Sequence, residues 1–348
     1  MNELLLKEKS SWEIIKESGL PAVIYGMGNG ADMVIDEFDR LDVPVMGVTA
    51  SDDFVIGQDF RGFKVKKLSE FSGDFILCIA FGTQIPEVIS HIIKLSKRYK
   101  TIVPVVPVCG KEIFNRDFAE KNLDNIKKAY NLFTDESKKI YSACVSFMLT
   151  GNLDTLFSIT TEKKEAYNKI LKLSESETYL DIGAYRGDTV KEFLRFTKGK
   201  FKSIIAVEPD IKNFRKLEEA CGNLENISII NKAVSDKCGK VYFETKAGRQ
   251  SSISVSGKEI ECITVDEICK DLDVTYMKVD VEGEEPALIS GAKETIKRFK
   301  PKLNIALYHR SEDIFRIPLM LSEIRPDYRF EIRRHPYIPC WDMNLYCV

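Results

Sequence analysis

Tyr179-Leu180-Asp181-Ile182-Gly183-Ala184-Tyr185-Arg186-Gly187-Asp188-Thr189 reads as a strand, a glycine turn and the start of a helix. The apolar run ends on an acid, Asp181. Gly183 and Gly187 tolerate positive φ and let the backbone approach a ligand closely. In a doubly wound sheet, the crevice beyond such a strand is where a nucleoside-bearing ligand sits. Asp181 is placed to accept a hydrogen bond or to face a ligand ammonium. Asp181 and Asp188 would repel a pyrophosphate, which wants an uncluttered helix N-terminus. The two glycines also fail to make Gly-x-Gly-x-x-Gly. The turn therefore suits a cationic ligand better than a dinucleotide.

Working outward, Ile204-Ile205-Ala206-Val207 forms a second strand that ends in Glu208-Pro209-Asp210. An acid at that strand end can accept both hydroxyls of a ribose. A third strand, Tyr276-Met277-Lys278-Val279, runs into Asp280, Glu282, Glu284 and Glu285 around Gly283. It should form the other edge of the same crevice. Further strands are expected at 227–230 and 302–307, with helices at 188–196, 211–221, 285–298 and 314–324. The runs 328–333 and 343–347 look like a terminal antiparallel hairpin. Residues 173–348 thus read as one α/β domain.

Upstream, residues 1–110 show the same alternation, with strands at 21–25, 43–48, 74–80 and 102–106. Helices are expected at 31–41 and 85–99. Gly26-Met27-Gly28-Asn29-Gly30 resembles a phosphate-cradling turn, since amides at a helix start attract anions. This N-terminal domain is expected to be Rossmann-like, either binding a nucleotide or nucleotide sugar or serving only for packing. Residues 111–172 lack strand alternation and read as a helical connector.

Composition fits a globular protein: 44% hydrophobic and 30% charged residues, with a net charge of −2. Near-neutrality lacks the footprint of a nucleic-acid binder, so no nucleic-acid partner is expected. Met1 to Lys9 has no apolar leader and no run is long enough to span a membrane, so a cytoplasmic protein without a membrane partner is expected. The nine cysteines contain no Cys-x-x-Cys pair and read as reduced core thiols rather than a zinc site.

The run from Tyr179 to Val348 resembles the FkbM family of methyltransferases. The stretches that carry the likeness follow in family order. They are 181–189, Val207-Glu208-Pro209-Asp210, Asn231 to Asp236 before Gly239, Thr264 to Ile268, Lys278 to Glu284, and Leu307-Tyr308-His309. The resemblance implies a class I Rossmann-like methyltransferase domain with S-adenosyl-L-methionine as cofactor. It implies transfer to a hydroxyl of a small molecule, often a sugar. Carried over by position, Asp181, Gly183, Ala184, Tyr185, Gly187 and Asp188 would line the methionine end of the cofactor. Glu208 and Pro209 would hold the ribose, and Ala233 and Val234 would flank the adenine. Asp280 would close the site. Arg186 departs from the small or apolar residue usual in this loop, and could reach the cofactor carboxylate itself.

A hydroxyl nucleophile gains from a base that removes its proton. Of His91, His309 and His335, only His309 follows a strand end near Asp280 and Glu282, so His309 is the expected base. Glu282 is the expected second catalytic residue, as an alternative base or as the group that orients His309. His335 is expected on the surface. Asp280, Glu282, Glu284 and Glu285 raise a divalent-cation site, since hard cations prefer several oxygens; against it, Glu284 and Glu285 also suit a helix N-terminus and no second oxygen cluster is visible, so no metal is expected. The competing readings are a nucleotide- or nucleotide-sugar-binding protein, or an NAD-dependent oxidoreductase, built on the N-terminal glycine loop. Homo-oligomers are left open.

Overall fold

The computed structural model describes residues 8–244, 252–254 and 258–348. The first seven residues, read above as no leader, lie outside the described part. The chain separates into two compact units. One comprises Met1–Tyr130, Lys138–Thr161 and Arg334–Asp342; the other comprises Asn131–Ser137, Glu162–Arg333 and Met343–Val348. The 111–172 stretch, expected as a connector, is thus divided between the two units. Its helices bury apolar side chains such as Phe147 and Leu156, and a helix with an apolar stripe belongs to a core.

The first unit holds β1 (Ala22–Tyr25), β2 (Val45–Thr49), the small hairpin β3 (Asp59–Phe60) and β4 (Phe63–Lys64), β5 (Ile76–Ile79) and β6 (Thr101–Ile102). Its parallel sheet runs β2-β1-β5-β6. Every residue of β1 and β5 is buried, as expected of parallel strands covered on both faces. The strand expected over 102–106 stops at Ile102. Pro104 and Pro107 lack the amide that a ladder needs. A Cβ on Gly26 or on Gly30 would lie 3.1 or 2.8 Å from the Ala80 carbonyl oxygen. Both glycines therefore let the helix Asn29–Leu41 start close against the end of β5, a packing role that needs no phosphate. His335 corrects its surface assignment: it is 1% exposed, with Nδ1 2.9 Å from the Thr161 carbonyl oxygen.

The second unit is built on seven strands: β7 (Thr178–Ile182), β8 (Ser203–Val207), β9 (Ile227–Ile230), β14 (Tyr276–Val279), β15 (Lys302–Ala306), β16 (Phe330–Arg334) and β17 (Met343–Cys347). Their order is β16-β17-β15-β14-β7-β8-β9. β7, β8, β9, β14 and β15 are parallel, and β17 runs antiparallel to β15. Arg329 and Val348 exchange both backbone hydrogen bonds, the antiparallel pattern that the terminal hairpin reading anticipates. From β7 the chain steps outward through β8 to β9, then returns to lay β14 on the other side of β7. The winding reverses between β7 and β14, and ligands of doubly wound sheets bind beyond the strand ends at that point.

Between β9 and β14 the chain forms a smaller sheet that the sequence reading missed: β10 (Ala233–Val234), β11 (Gly239–Glu244), β12 (Ser252–Ser254) and β13 (Lys258–Ile263), in the order β10-β13-β11-β12. β13 leaves most of its residues partly or fully exposed, so it lacks the apolar run that marks a core strand. Under the main sheet, Tyr179 stacks on Phe193 at 4.4 Å and on Tyr276 at 4.8 Å between ring centroids. These rings join the helix Asp188–Phe196 to β7 and β14, and stacking of this kind adds to area burial. The expected helix 285–298 is two helices, Glu285–Ser290 and Lys293–Phe299. Gly291 breaks the run: its Cβ would sit 2.2 Å from the Ser235 carbonyl oxygen. Seven of the nine cysteines are buried, the placement of core thiols.

Candidate active site

Three strand tips meet at the reversal point. β7 delivers Asp181, and the turn that follows is tied to β8. Gly183 N and Ala184 N both donate to the Val207 carbonyl, at 3.0 and 3.1 Å. Gly183 holds φ +82, and a Cβ there would lie 1.9 Å from the Asp280 carbonyl oxygen. Only glycine lets β7 and β14 close at this height. Gly187, at φ +85, starts the helix Asp188–Phe196.

Asp181 is fully buried. Its Oδ2 accepts from the Thr189 hydroxyl, while Oδ1 finds no hydrogen-bond partner among the described residues. Burial pushes its pKa up to about 6. Glu208, at the tip of β8, accepts from Tyr185 N on one oxygen and from Asp210 N on the other, each at 2.9 Å. Burial pushes it up to about 7, against those two bonds. A buried acceptor without a donor is costly, so Asp181 Oδ1 and the remaining lone pairs of Glu208 are suited to a ligand rich in donors.

The parallel register sets Lys278 beside Asp181. Lys278 is 8% exposed, and its Nζ lies 3.4 Å from Asp280 Oδ2. Burial opposes its charge, but Asp280 and Asp181 outweigh it and raise the pKa. Asp280 in turn is lifted by burial and pulled down further by Lys278 and His309. Tyr308 donates to Asp280 Oδ1 at 3.2 Å.

The loop after β14 turns through Glu282 at φ +52 and Gly283 at φ +93. A left-handed non-glycine residue costs about 1–2 kcal/mol, and such strain gathers at functional sites. Glu285 anchors this loop: Oε1 accepts from Val281 N at 2.9 Å and Oε2 from Gly283 N at 3.1 Å. His309 arrives from the end of β15, fully buried. Its Nδ1 is 2.8 Å from Glu285 Oε1, and its Nε2 lies 3.5 Å from Asp280 Oδ1 and 3.6 Å from Glu282 Oε2. Burial disfavours the imidazolium, but Glu285, Glu282 and Asp280 together raise His309 to about 10.

Asp181, Gly183, Ala184, Gly187, Glu208, Asp280, Glu282 and His309 thus line the tips of β7, β8, β14 and β15. Arg186 turns elsewhere: its Nε donates to Asn213 at 3.1 Å, and its guanidinium lies 4.7 Å over the Tyr185 ring. Asp188 is exposed on the first turn of its helix and Pro209 is half-buried. Ala233 and Val234 are buried in β10. Sequence reading passed over Thr189, Lys278 and the role of Glu285. Glu285 looked like an acid that merely favours a helix N-terminus. Nothing local shows that its oxygens face an imidazole twenty-four residues away.

A doubly wound sheet whose carboxylate-tipped strands meet at the reversal point defines a Rossmann-like α/β domain with a ligand crevice at those tips. Residues 181–332 match the profile of the methyltransferase FkbM domain, a little under half of the chain. Over the whole fold it is similar to the methyltransferase FkbM from Methylobacillus flagellatus KT. That likeness has 21% identity and a TM-score of 0.74, and it covers 97% of this chain and 92% of the other. Fibrillarin from Aeropyrum pernix, solved with natively bound S-adenosyl-L-methionine, matches at 14% identity and a TM-score of 0.32. The match covers 51% of this chain and 69% of that one, a likeness too slight to argue from. No curated protein matches. The profile match supports a methyltransferase domain over residues 181–332, and the likeness to the Methylobacillus flagellatus protein shows the shared fold. No described helix is long and apolar enough to cross a membrane.

Proposed function

We propose that the chain methylates a hydroxyl oxygen of a small molecule, a sugar or sugar-linked acceptor being the first class to try. The observation that carries this reading is the cluster of Asp280, Glu282 and His309 next to the tips of β7 and β8, in which His309 Nε2 lies 3.5 Å from Asp280 and 3.6 Å from Glu282. A hydroxyl must lose its proton to become a good nucleophile, and proton-accepting groups beside the methyl donor serve that need.

S-adenosylmethionine supplies an electrophilic methyl group on a sulfonium. The residues present fit it. Asp181 offers a buried, unsatisfied oxygen to the ammonium of its methionine part. Glu208, held rigid by two amides, accepts the ribose hydroxyls. Gly183, Ala184, Tyr185 and Gly187 form the backbone wall, and Ala233 and Val234 offer an apolar surface to the adenine. Arg186 is engaged with Asn213, so the cofactor carboxylate falls to the loop amides.

Glu282 is the group the acceptor reaches, because its side chain is 24% exposed while that of His309 is 0% exposed. Glu282 therefore receives the hydroxyl proton, and His309 is a positioning residue that draws Glu282 and Asp280 together by charge rather than by a hydrogen bond. Proximity and fixed orientation supply much of the rate in an in-line transfer. Calorimetric titration of the parent, Glu208→Gln and Glu282→Gln with S-adenosylmethionine, with turnover on a panel of hydroxylated sugars, tests the reading. Glu208→Gln should lose cofactor affinity, while Glu282→Gln should keep it and lose turnover. Retained cofactor affinity in Glu208→Gln would remove the ribose assignment.

A further inference from the structure

We infer that Asp280, Glu282 and His309 form the binding site of one divalent cation, with Glu285 as the carboxylate behind the imidazole. The inference rests on the proposed function only for where the acceptor sits. Cation binding itself does not depend on it.

The first argument is distance. His309 Nε2 is 3.5 Å from Asp280 Oδ1 and 3.6 Å from Glu282 Oε2. Both are too long for a good hydrogen bond. Ligands held at roughly 2.0–2.2 Å from one ion stand about 3.0–3.6 Å apart. Each of the two spacings is that of a pair of ligands on one ion, with the imidazole common to both.

The second argument is the imidazole. His309 is fully buried, and neither ring nitrogen has a well-formed hydrogen bond among the described residues, although Nδ1 lies close to Glu285 and Nε2 does not come so near to any carboxylate. With the ring proton on Nδ1, directed at Glu285 Oε1 2.8 Å away, Nε2 is left as a lone pair aimed between two carboxylates. A carboxylate behind a ligating imidazole fixes its tautomer and raises its basicity. Glu285 is suited to that second role rather than to ligation, although Asp280, Glu285 and His309 together also fall within ligand reach of one point. Both oxygens of Glu285 already accept from the amides of Val281 and Gly283, which locks it in place.

The third argument is charge. Asp280, Glu282 and Glu285 surround one imidazole, and Lys278 faces the other oxygen of Asp280. A dication on Nε2 balances this group better than a single proton does. Two carboxylate oxygens and one imidazole suit Mn²⁺ and its neighbours. An acceptor hydroxyl on such a cation loses its proton more readily, which explains why the cluster lies beside the methyl donor's place.

The test uses the full chain, stripped with a chelator and titrated with Mn²⁺ by electron paramagnetic resonance. One Mn²⁺ per chain is expected. Glu282→Gln should weaken it at least tenfold, and Glu285→Gln by about 10–100-fold. Glu282 is partly exposed and glutamine has its shape, so folding should survive. A circular dichroism spectrum and an unchanged S-adenosylmethionine titration check that. No binding of Mn²⁺, Mg²⁺ or Zn²⁺ up to about 1 mM, the weak end for oxygen-rich sites, would overturn the inference, as would Mn²⁺ binding that Glu282→Gln leaves unchanged. Glu208→Gln separates the two claims, since it should lose the cofactor and keep Mn²⁺. Methylation of a hydroxyl by chain that binds no cation would retain the proposed function and sink the cation site. Mn²⁺ bound as described, without methylation of any hydroxylated acceptor, would do the reverse.

Discussion

Replacing Gly183 by alanine tests the geometry on which the site depends. Two costs are visible in the structure. The backbone at φ +82 is strained for any residue with a Cβ, by about 1–2 kcal/mol. The new Cβ would also stand 1.9 Å from the Asp280 carbonyl oxygen. The turn after β7 and the end of β14 would have to part by about 1 Å to reach an acceptable contact. They are held by Asp280 N donating to the Ile182 carbonyl at 3.1 Å. Overpacking of this order costs about 1–3 kcal/mol. The total is about 2–5 kcal/mol, a large part of the roughly 5–15 kcal/mol that stabilises a domain. Gly199→Ala is the control. Gly199 has φ +76 with nothing within 4 Å of its Cβ position, so it should cost only the backbone strain, about 1–2 kcal/mol. Urea unfolding followed by far-ultraviolet circular dichroism measures both variants. The difference between them isolates the clash. If Gly183→Ala proved no less stable than Gly199→Ala, the tight closure of β7 on β14 would be wrong.

Other predictions follow from buried charges. Lys278→Met removes the cation beside Asp181 and Asp280, leaving a buried carboxylate unbalanced. Losing one partner of a buried pair costs about 3–5 kcal/mol, and since the Asp280 side chain is 32% exposed, about 2–4 kcal/mol is expected after solvent screening. A thermal melt at pH 7 no lower than the parent's would contradict this. Glu208 gives a pH dependence. Its pKa rises from the ordinary 4.5 to about 7 in the folded chain, so its contribution to stability is full below pH about 4.5 and is lost as pH rises through about 7. Above that, its buried charge costs about 3 kcal/mol. Ribose hydroxyls donating to the carboxylate favour its charged form, so cofactor binding near pH 6.5 should release a proton. Calorimetry in two buffers of different ionisation heat should detect the release, and Glu208→Gln should diminish it. Equal proton release in that variant would place the titrating group elsewhere.

Much of the fold was legible because it is locally encoded. The all-buried run of β7, the glycine turn and the amphipathic helix after it announce themselves within a dozen residues. Asp181, Glu208 and Asp280 could be picked out because each ends an apolar strand, a position visible in the chain itself. The small sheet of β10 to β13 was not legible, because β10 is only two residues long and β13 exposes charged side chains with little apolar pattern. The second glycine loop left two readings open for a related reason. Gly26 and Gly30 have the spacing of a phosphate cradle, and the Ala80 carbonyl, at least fifty residues away, supplies a packing reason for them that no local pattern shows.

The sequence by itself determined the strand–turn–helix units and the acids at their tips, because propensity, burial pattern and turn chemistry act between near neighbours. Only the tertiary structure decided that β14 returns to lie against β7 and that Glu285 stands behind His309. It also decided that His309 is sealed from solvent while Glu282 is not. Those facts depend on which strands pair and in what register, a choice made by packing the whole sheet. A one-residue slip in β14 would move Lys278 off Asp181 without changing any local pattern.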